Sequence, residues 1–188
     1  MNMNPIHLLL PFVLLVPGVA RGQAAPNFPS GRSTPVFQVN LPGGAVWVRL
    51  DTVSASSKAP ADRNRAFRAA IQVYKSLKIP TDIVDTTVAQ LGNLNLVVNR
   101  TFAGSRMSTW LRCGESMTGP NADTFRIYMA VVTGVERATD DSSRVRTLLT
   151  GTARNMAGGA SNPIPCSTTG MFEEMVGRKI VEELGKGS

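Results

Sequence analysis

Histidine is all but missing from this chain. The single one, His7, stands in an apolar leader. Past that leader there is no Ser-His-Asp or Cys-His catalysis, no histidine-containing zinc site and no imidazole base. Cysteine is nearly as scarce. Cys113 and Cys166 are the only two, too few for zinc or iron held by four thiolates. No apolar run after about residue 20 approaches the ~20 residues of a membrane-spanning helix. No metal and no cofactor is expected from this inventory.

The leader itself is informative. Leu8-Leu9-Leu10-Pro11-Phe12-Val13-Leu14-Leu15-Val16 is an apolar core, and Ala20-Arg21-Gly22 and Gly22-Gln23-Ala24 are small-x-small cleavage sites. Residues 1–24 therefore read as a signal peptide, although Met1 to His7 supplies no Lys or Arg. Residues 25–33, "APNFPSGRS", are rich in Pro, Gly and Ser and read as a flexible mature N-terminus. Residues 34–188 then form one domain on length. An exported chain with two cysteines reads as one disulfide, Cys113 to Cys166. A reactive thiol at Cys166 lacks a histidine base. The localisation expected is periplasmic or extracellular.

Alternation and helical spacing fill in the domain. Phe37, Val39 and Leu41, then Val46, Val48 and Leu50, flank Pro42-Gly43-Gly44 as a β-hairpin. Phe67, Ala70, Ile71, Tyr74 and Leu77 make one helical stripe, with Pro60 in the first turn and Ser56 or Ser57 near the cap. The sequence from Thr81 to Cys113 reads as β. It includes a strand that turns Met107, Thr109, Leu111 and Cys113 inward, and Arg106, Ser108, Trp110 and Arg112 outward. Ile127, Met129 and Val131 point inward against outward Arg126 and Tyr128. Val145, Thr147 and Leu149 oppose Arg144 and Arg146 in the same way. Phe172, Met175, Val176, Ile180 and Leu184 stripe a last helix, capped by Thr169 or Gly170. The fold class is α+β: a two-layer sandwich in which two helices cover an antiparallel sheet of about six to seven strands.

The stretches "RMSTWLRCGE", "NADTFRIYMAVVTGV" and "CSTTGMFEEMV" resemble a group of small exported bacterial proteins without a characterised role. A helix followed by "IPTDIVDTTVAQLGN" is loosely similar to the helix-grip accessory domains of outer-membrane lipoproteins that help assemble β-barrels. Those lipoproteins carry a lipidated cysteine that this chain lacks. Neither resemblance brings a catalytic motif.

The chemistry in view is basic. Formal charge is +7, which permits contact with anionic surfaces. Arg106, Trp110, Arg112, Arg126, Tyr128, Arg144 and Arg146 fall on outward positions, where guanidinium groups beside aromatics suit an anion- or glycan-binding face. A solvated side of a one-sided sheet explains the same pattern. Glu115 and Asp123 flank one loop and are the candidate acid–base pair of a hydrolase. Asp140-Asp141-Ser142-Ser143 has calcium-type oxygens or is a polar turn. Ser167-Thr168-Thr169 either binds an anion at a helix start or caps that helix. Asn99-Arg100-Thr101 matches a glycosylation sequon. The function expected is a non-enzymatic envelope or secreted domain that binds a macromolecular, anionic partner: an envelope protein or an anionic polymer. The alternative is a carboxylate-dependent hydrolase of an envelope polymer. Protein taken from its native host should begin at Gln23 or Ala25 by mass spectrometry. Retention of Met1 on the cytoplasmic protein would remove the basis for export.

Overall fold

The computed structural model describes residues 36–49, 55–156 and 162–186, all within a unit running from Thr34 to Ser188. The expected signal peptide, the segment 25–33 and Leu50 lie outside the described residues. In order come β1 (Val36–Leu41), β2 (Gly44–Arg49), β3 (Ser56–Ala59), α1 (Arg63–Ser76), β4 (Ile83–Asp85) and β5 (Gln90–Asn99). Next are β6 (Thr101–Phe102), β7 (Ser105–Arg106), α2 (Met107–Trp110), β8 (Leu111–Arg112), β9 (Glu115–Ser116), β10 (Gly119–Pro120) and α3 (Asn121–Thr124). The chain ends in β11 (Arg126–Thr139), β12 (Ser142–Arg154), β13 (Ile164–Thr168) and α4 (Met171–Lys186).

The centre is the long β11–β12 hairpin, paired antiparallel from Arg126↔Arg154 to Thr139↔Ser142. Its period-two alternation faces Ile127, Met129, Val131 and Val135 inward, opposite Ala153, Gly151, Leu149 and Val145. Residues directly opposite each other share a face, and these are buried. Large sits opposite small where space is short. A Cβ on Gly151 would stand 2.9 Å from the Tyr128 carbonyl oxygen and 3.0 Å from Met129 Cβ. β5 lies on the far side of β11, and there a Cβ on Gly92 would run into the Val131 carbonyl.

The result is the expected α+β sandwich, a seven-stranded antiparallel sheet in the order β4-β5-β11-β12-β13-β8, with β3 beside β13 on the outer edge of β12. Helices α1 and α4 pack on its inner face. Ala66, Phe67, Ala70, Val73 and Tyr74 of α1 meet Phe172, Val176, Ile180 and Leu184 of α4 in one core. α1 starts later than the sequence suggests. Asp62 is the cap, its carboxylate accepting from the Asn64 and Arg65 amides. Ser56 and Ser57, expected near that cap, instead belong to β3 and pair with β12. Helix capping and strand pairing compete for this segment, and the open edge of β12 wins.

The outer face differs from a solvated sheet. The β1–β2 hairpin, turning at Pro42-Gly43, lies against it, and Val39, Leu41 and Ala130 form a second small core with Val48, Leu94 and Tyr128 around it. The inner core carries a polar thread. Tyr74 Oη lies 2.8 Å from Thr133 Oγ1, which lies 2.9 Å from Thr147 Oγ1. Burial pushes the Tyr74 phenol above its ordinary range, while the Thr133 hydroxyl works the other way. The fold thus favours the neutral phenol. That stabilisation is complete below the unfolded value of about pH 10 and is lost as pH rises beyond it. Urea midpoints measured upward from neutral pH should fall above about pH 10, and more gently in Tyr74→Phe. Equal slopes would mean that this phenol is not what fails in alkali.

Candidate functional site

The disulfide is formed. Cys113 and Cys166 are bonded with Cα atoms 4.3 Å apart, closing a separation of 53 residues. The position follows from register. β13 pairs with β8 as Ser167↔Arg112 and Thr168↔Leu111, so the next opposed pair along the same ladder is Cys166 and Cys113. The bond therefore continues the ladder by one rung, next to a two-residue strand too short to hold its place alone.

The seven residues of the expected basic face do not stay together. Trp110 leaves it altogether. It is 5% exposed, its Nε1 donates to the Phe102 carbonyl at 2.8 Å, and its ring meets Phe172 edge-on with centroids 5.6 Å apart. The reason is a change of period. Met107–Trp110 is a helical turn, not a strand, so residues three apart share a side, and Met107 and Trp110 are buried together. Arg106 is exposed but sits in the separate β6–β7 ribbon, off the main sheet. Tyr128 keeps its outward orientation yet is half-buried under the β1–β2 hairpin.

Arg126, Arg144, Arg146 and Arg112 keep the outward side, but at separate places. Arg126 is at the start of β11, whereas Arg144 and Arg146 stand opposite Glu136 and Gly134 near its end. Ten residues of strand separate the levels of Arg126 and Glu136, about 33 Å. At the far end Glu136 offsets part of the charge, with its Oε2 3.6 Å from Arg146 Nε. Arg112 lies on β8 and lines a cleft of about 440 Å³ with Ser108, Gly114, Glu115 and Pro120.

At the near end no acid intervenes. Arg126 stands directly opposite Arg154 on β12 and opposite Asn99 on β5, all on the outer face. Among the described residues neither arginine has a carboxylate partner. Both are half-buried, and the register sets them directly opposite each other. Opposed Cα atoms in such a ladder are about 4.5–5.5 Å apart, and like charges so placed repel. Arg154 was legible by parity: it continues the alternation of Arg144 and Arg146, and stopping that count early hides it.

The other candidates resolve into structural roles. Asp123 accepts from the Ser108 amide at 2.8 Å and from Ser108 Oγ at 2.7 Å. It anchors α2, while Glu115 sits exposed in the β9–β10 ribbon. Asp140 pairs loosely with Arg137 at 3.8 Å in the β11–β12 turn. No cluster of three metal-ligating side chains occurs among the described residues. Thr169 Oγ1 donates to the Thr109 carbonyl at 2.7 Å and accepts from the Met171 amide at 3.4 Å, tying α4 to α2. Asn99 of the sequon is exposed at the end of β5. No helix among the described residues is long and apolar enough to cross a membrane.

Glu173 is the group that sequence reading passed over, since its place in the first turn of α4 looks like helix-dipole stabilisation. It is 6% exposed and accepts from Thr168 Oγ1 at 2.7 Å. It borders a cleft of about 220 Å³ with Ser57 and Thr147. Burial raises its carboxyl above the ordinary range, against the Thr168 hydroxyl and the Glu173 and Leu149 amides, which lower it. No protein-family model matches the chain, and no curated protein is similar to it.

The sign of the Glu173 effect is fixed by its direction. A carboxyl raised on folding stabilises the protein fully below the unfolded value of about 4.3 and progressively less as pH rises past it. Glu173→Gln keeps an oxygen for Thr168 and Leu149 and removes the buried charge. Its urea midpoint should change less than that of the wild type as pH goes from about 4 to 7. A variant that follows the wild-type curve would show that the carboxyl does not titrate in the fold.

Proposed function

We propose that this is a non-catalytic exported domain that holds an anionic macromolecular partner on the outer face of its sheet, with Arg126 and Arg154 as the principal contacts. The observation that carries the reading is the opposed, acid-free arginine pair. Side-by-side guanidinium groups repel in an empty site and are relieved by an oxyanion that each can chelate in bidentate fashion. Asn99, level with Arg126 on β5, adds an amide donor to the same row. The full chain's charge of +7 favours such a partner at longer range. Export accords with a disulfide-bonded domain. The loose similarity to helix-grip accessory domains also agrees with a role in binding.

The hydrolase alternative has less support, because Asp123 accepts two hydrogen bonds from Ser108. Arg146 pairs with Glu136, which stands opposite Arg144, and both arginines are secondary in this reading. Binding of labelled dextran sulfate at low ionic strength should weaken by about ten-fold or more in the Arg126→Ser/Arg154→Ser double variant. Lys75→Ser, an exposed change on α1, should leave it unaltered. Loss of binding as salt rises is expected for the wild type. Equal affinity of the double variant and the wild type would overturn the assignment.

A further inference from the structure

The far edge of the sheet is only half covered. β5 runs from Gln90 to Asn99, but β4 pairs with it only from Gln90 to Gly92. The open part is bounded. Asp82 closes one end, its carboxylate accepting from the Leu94 amide at 3.2 Å, and the Asn95 amide turns back to Asn93 Oδ1 at 2.9 Å. Arg100, with φ of 62°, turns the chain away at the other end. Among the described residues, 95–99 have β11 on one side and no strand on the other. An edge of this kind is a template for a further strand. It carries no Lys and no Pro that would discourage one. Val97 stands on it 52% exposed.

We propose that the strand which completes this edge is β5 of a second copy, paired antiparallel about Val97 on a two-fold axis. The edge is complementary to itself in three respects. On the outer face, Val97 meets its own copy, and Asn95, whose side-chain amide donates to Asp82 at 3.4 Å, stands opposite Asn99 of the second molecule at both ends. On the inner face Leu96 meets Val98, continuing a row that already packs on the core. Lastly, the charge is polarised along the edge. Asp82 lies at its start and exposed Arg100 at its end, and neither has an ion-pair partner among the described residues. Antiparallel pairing about Val97 sets Leu94, with Asp82 attached, opposite Arg100 of the other copy. A two-fold repeats that match at both ends, as an isologous interface requires. An acidic or basic peptide would satisfy only one of them.

The assembly has a geometric consequence. Two sheets join into one, and two Arg126–Arg154 pairs come to lie on a common outer face. Three strand spacings and four residues of offset separate Arg126 from its copy, about 20 Å. The dimer is inferred from the edge alone and stands apart from the anion-binding reading.

Sedimentation equilibrium of the purified protein, with no ligand present, should show a monomer–dimer equilibrium. Val97→Lys should be monomeric throughout, with thermal unfolding like that of the wild type diluted to its monomer, since Val97 is exposed. Arg100→Asp should weaken the dimer by about ten-fold or more, because it sets an acid against Asp82 twice over. Mild oxidation of Val97→Cys should give a covalent dimer, since the axis places position 97 opposite itself within disulfide reach. The same change at Val46, 43% exposed on β2, should not. A wild type monomeric up to about 1 mM would overturn the proposal, as would a dimer unaffected by Val97→Lys, or equal cross-linking at positions 97 and 46.

Discussion

The outer edge of β12 is the constraint around which the fold closes. This strand has β11 along its whole length on one side. On the other, the backbone groups of the alternate residues that point away from β11, along a strand of thirteen residues, must be satisfied by short pieces. β3 takes Ser143 to Arg146, and β13 takes Gly151 to Ala153. Among the described residues, Thr147 to Thr150 fall between them with no strand partner on this side. Buried backbone amides without partners are costly, and the buried carboxylate of Glu173 lies at this gap, interacting with the Leu149 amide. Its place is set in turn by Thr168 at the end of β13. The segments that meet here are far apart in sequence. The Cys113–Cys166 bond holds two of them together, and closing a loop of its size is worth roughly 4 kcal/mol in the chain-entropy model.

That dependence explains what could and could not be read from the residues. The hairpin β11–β12 was legible because its alternation is long and its turn polar, and period-two faces leave little freedom. The stripes of α1 and α4 were legible for the corresponding reason at period 3.6. Cys113 and Cys166 were legible through their number. Met107–Trp110 was not. Four residues cannot display a period, and "RMSTWLRC" alternates well enough to pass for a strand. Only the turn at Ala103-Gly104, with φ of 47° and 82°, and the Ser108–Asp123 contact decide it. The same shortness hid β3, whose four residues precede a helix and read as its approach.

The candidate site shows a different kind of shortfall. Parity placed Arg126, Arg144, Arg146 and Arg112 on the outward side correctly, but parity says nothing about distance along a strand or about what covers a face. Those depend on register, which joins Arg126 to Arg154 and Arg146 to Glu136. They also depend on the β1–β2 hairpin, whose Val39 and Leu41 make the middle of the face apolar and cover Tyr128. A seven-residue patch becomes a pair of arginines at one end and a partly neutralised group at the other.

Length accounts for where those charges ended up. β11, at 14 residues, spans about 46 Å. α1 and α4, of 14 and 16 residues, reach only about 21–24 Å, and the six-residue strands of the hairpin about 20 Å. The sheet is therefore longer than either layer that covers it. Its middle must be apolar on both faces, as Met129, Ala130, Val131 and Val132 are, all fully buried. Towards its ends the outer face is less covered, Arg126 and Arg154 being half-buried and Arg144 exposed, and the charged side chains of the hairpin stand there. Arginine at the ends of β11 and β12 is thus what the architecture allows, and solvation alone accounts for single arginines. It does not account for two placed directly opposite each other with no carboxylate partner among the described residues, when Glu136 shows that the opposite end of the same hairpin accommodates one.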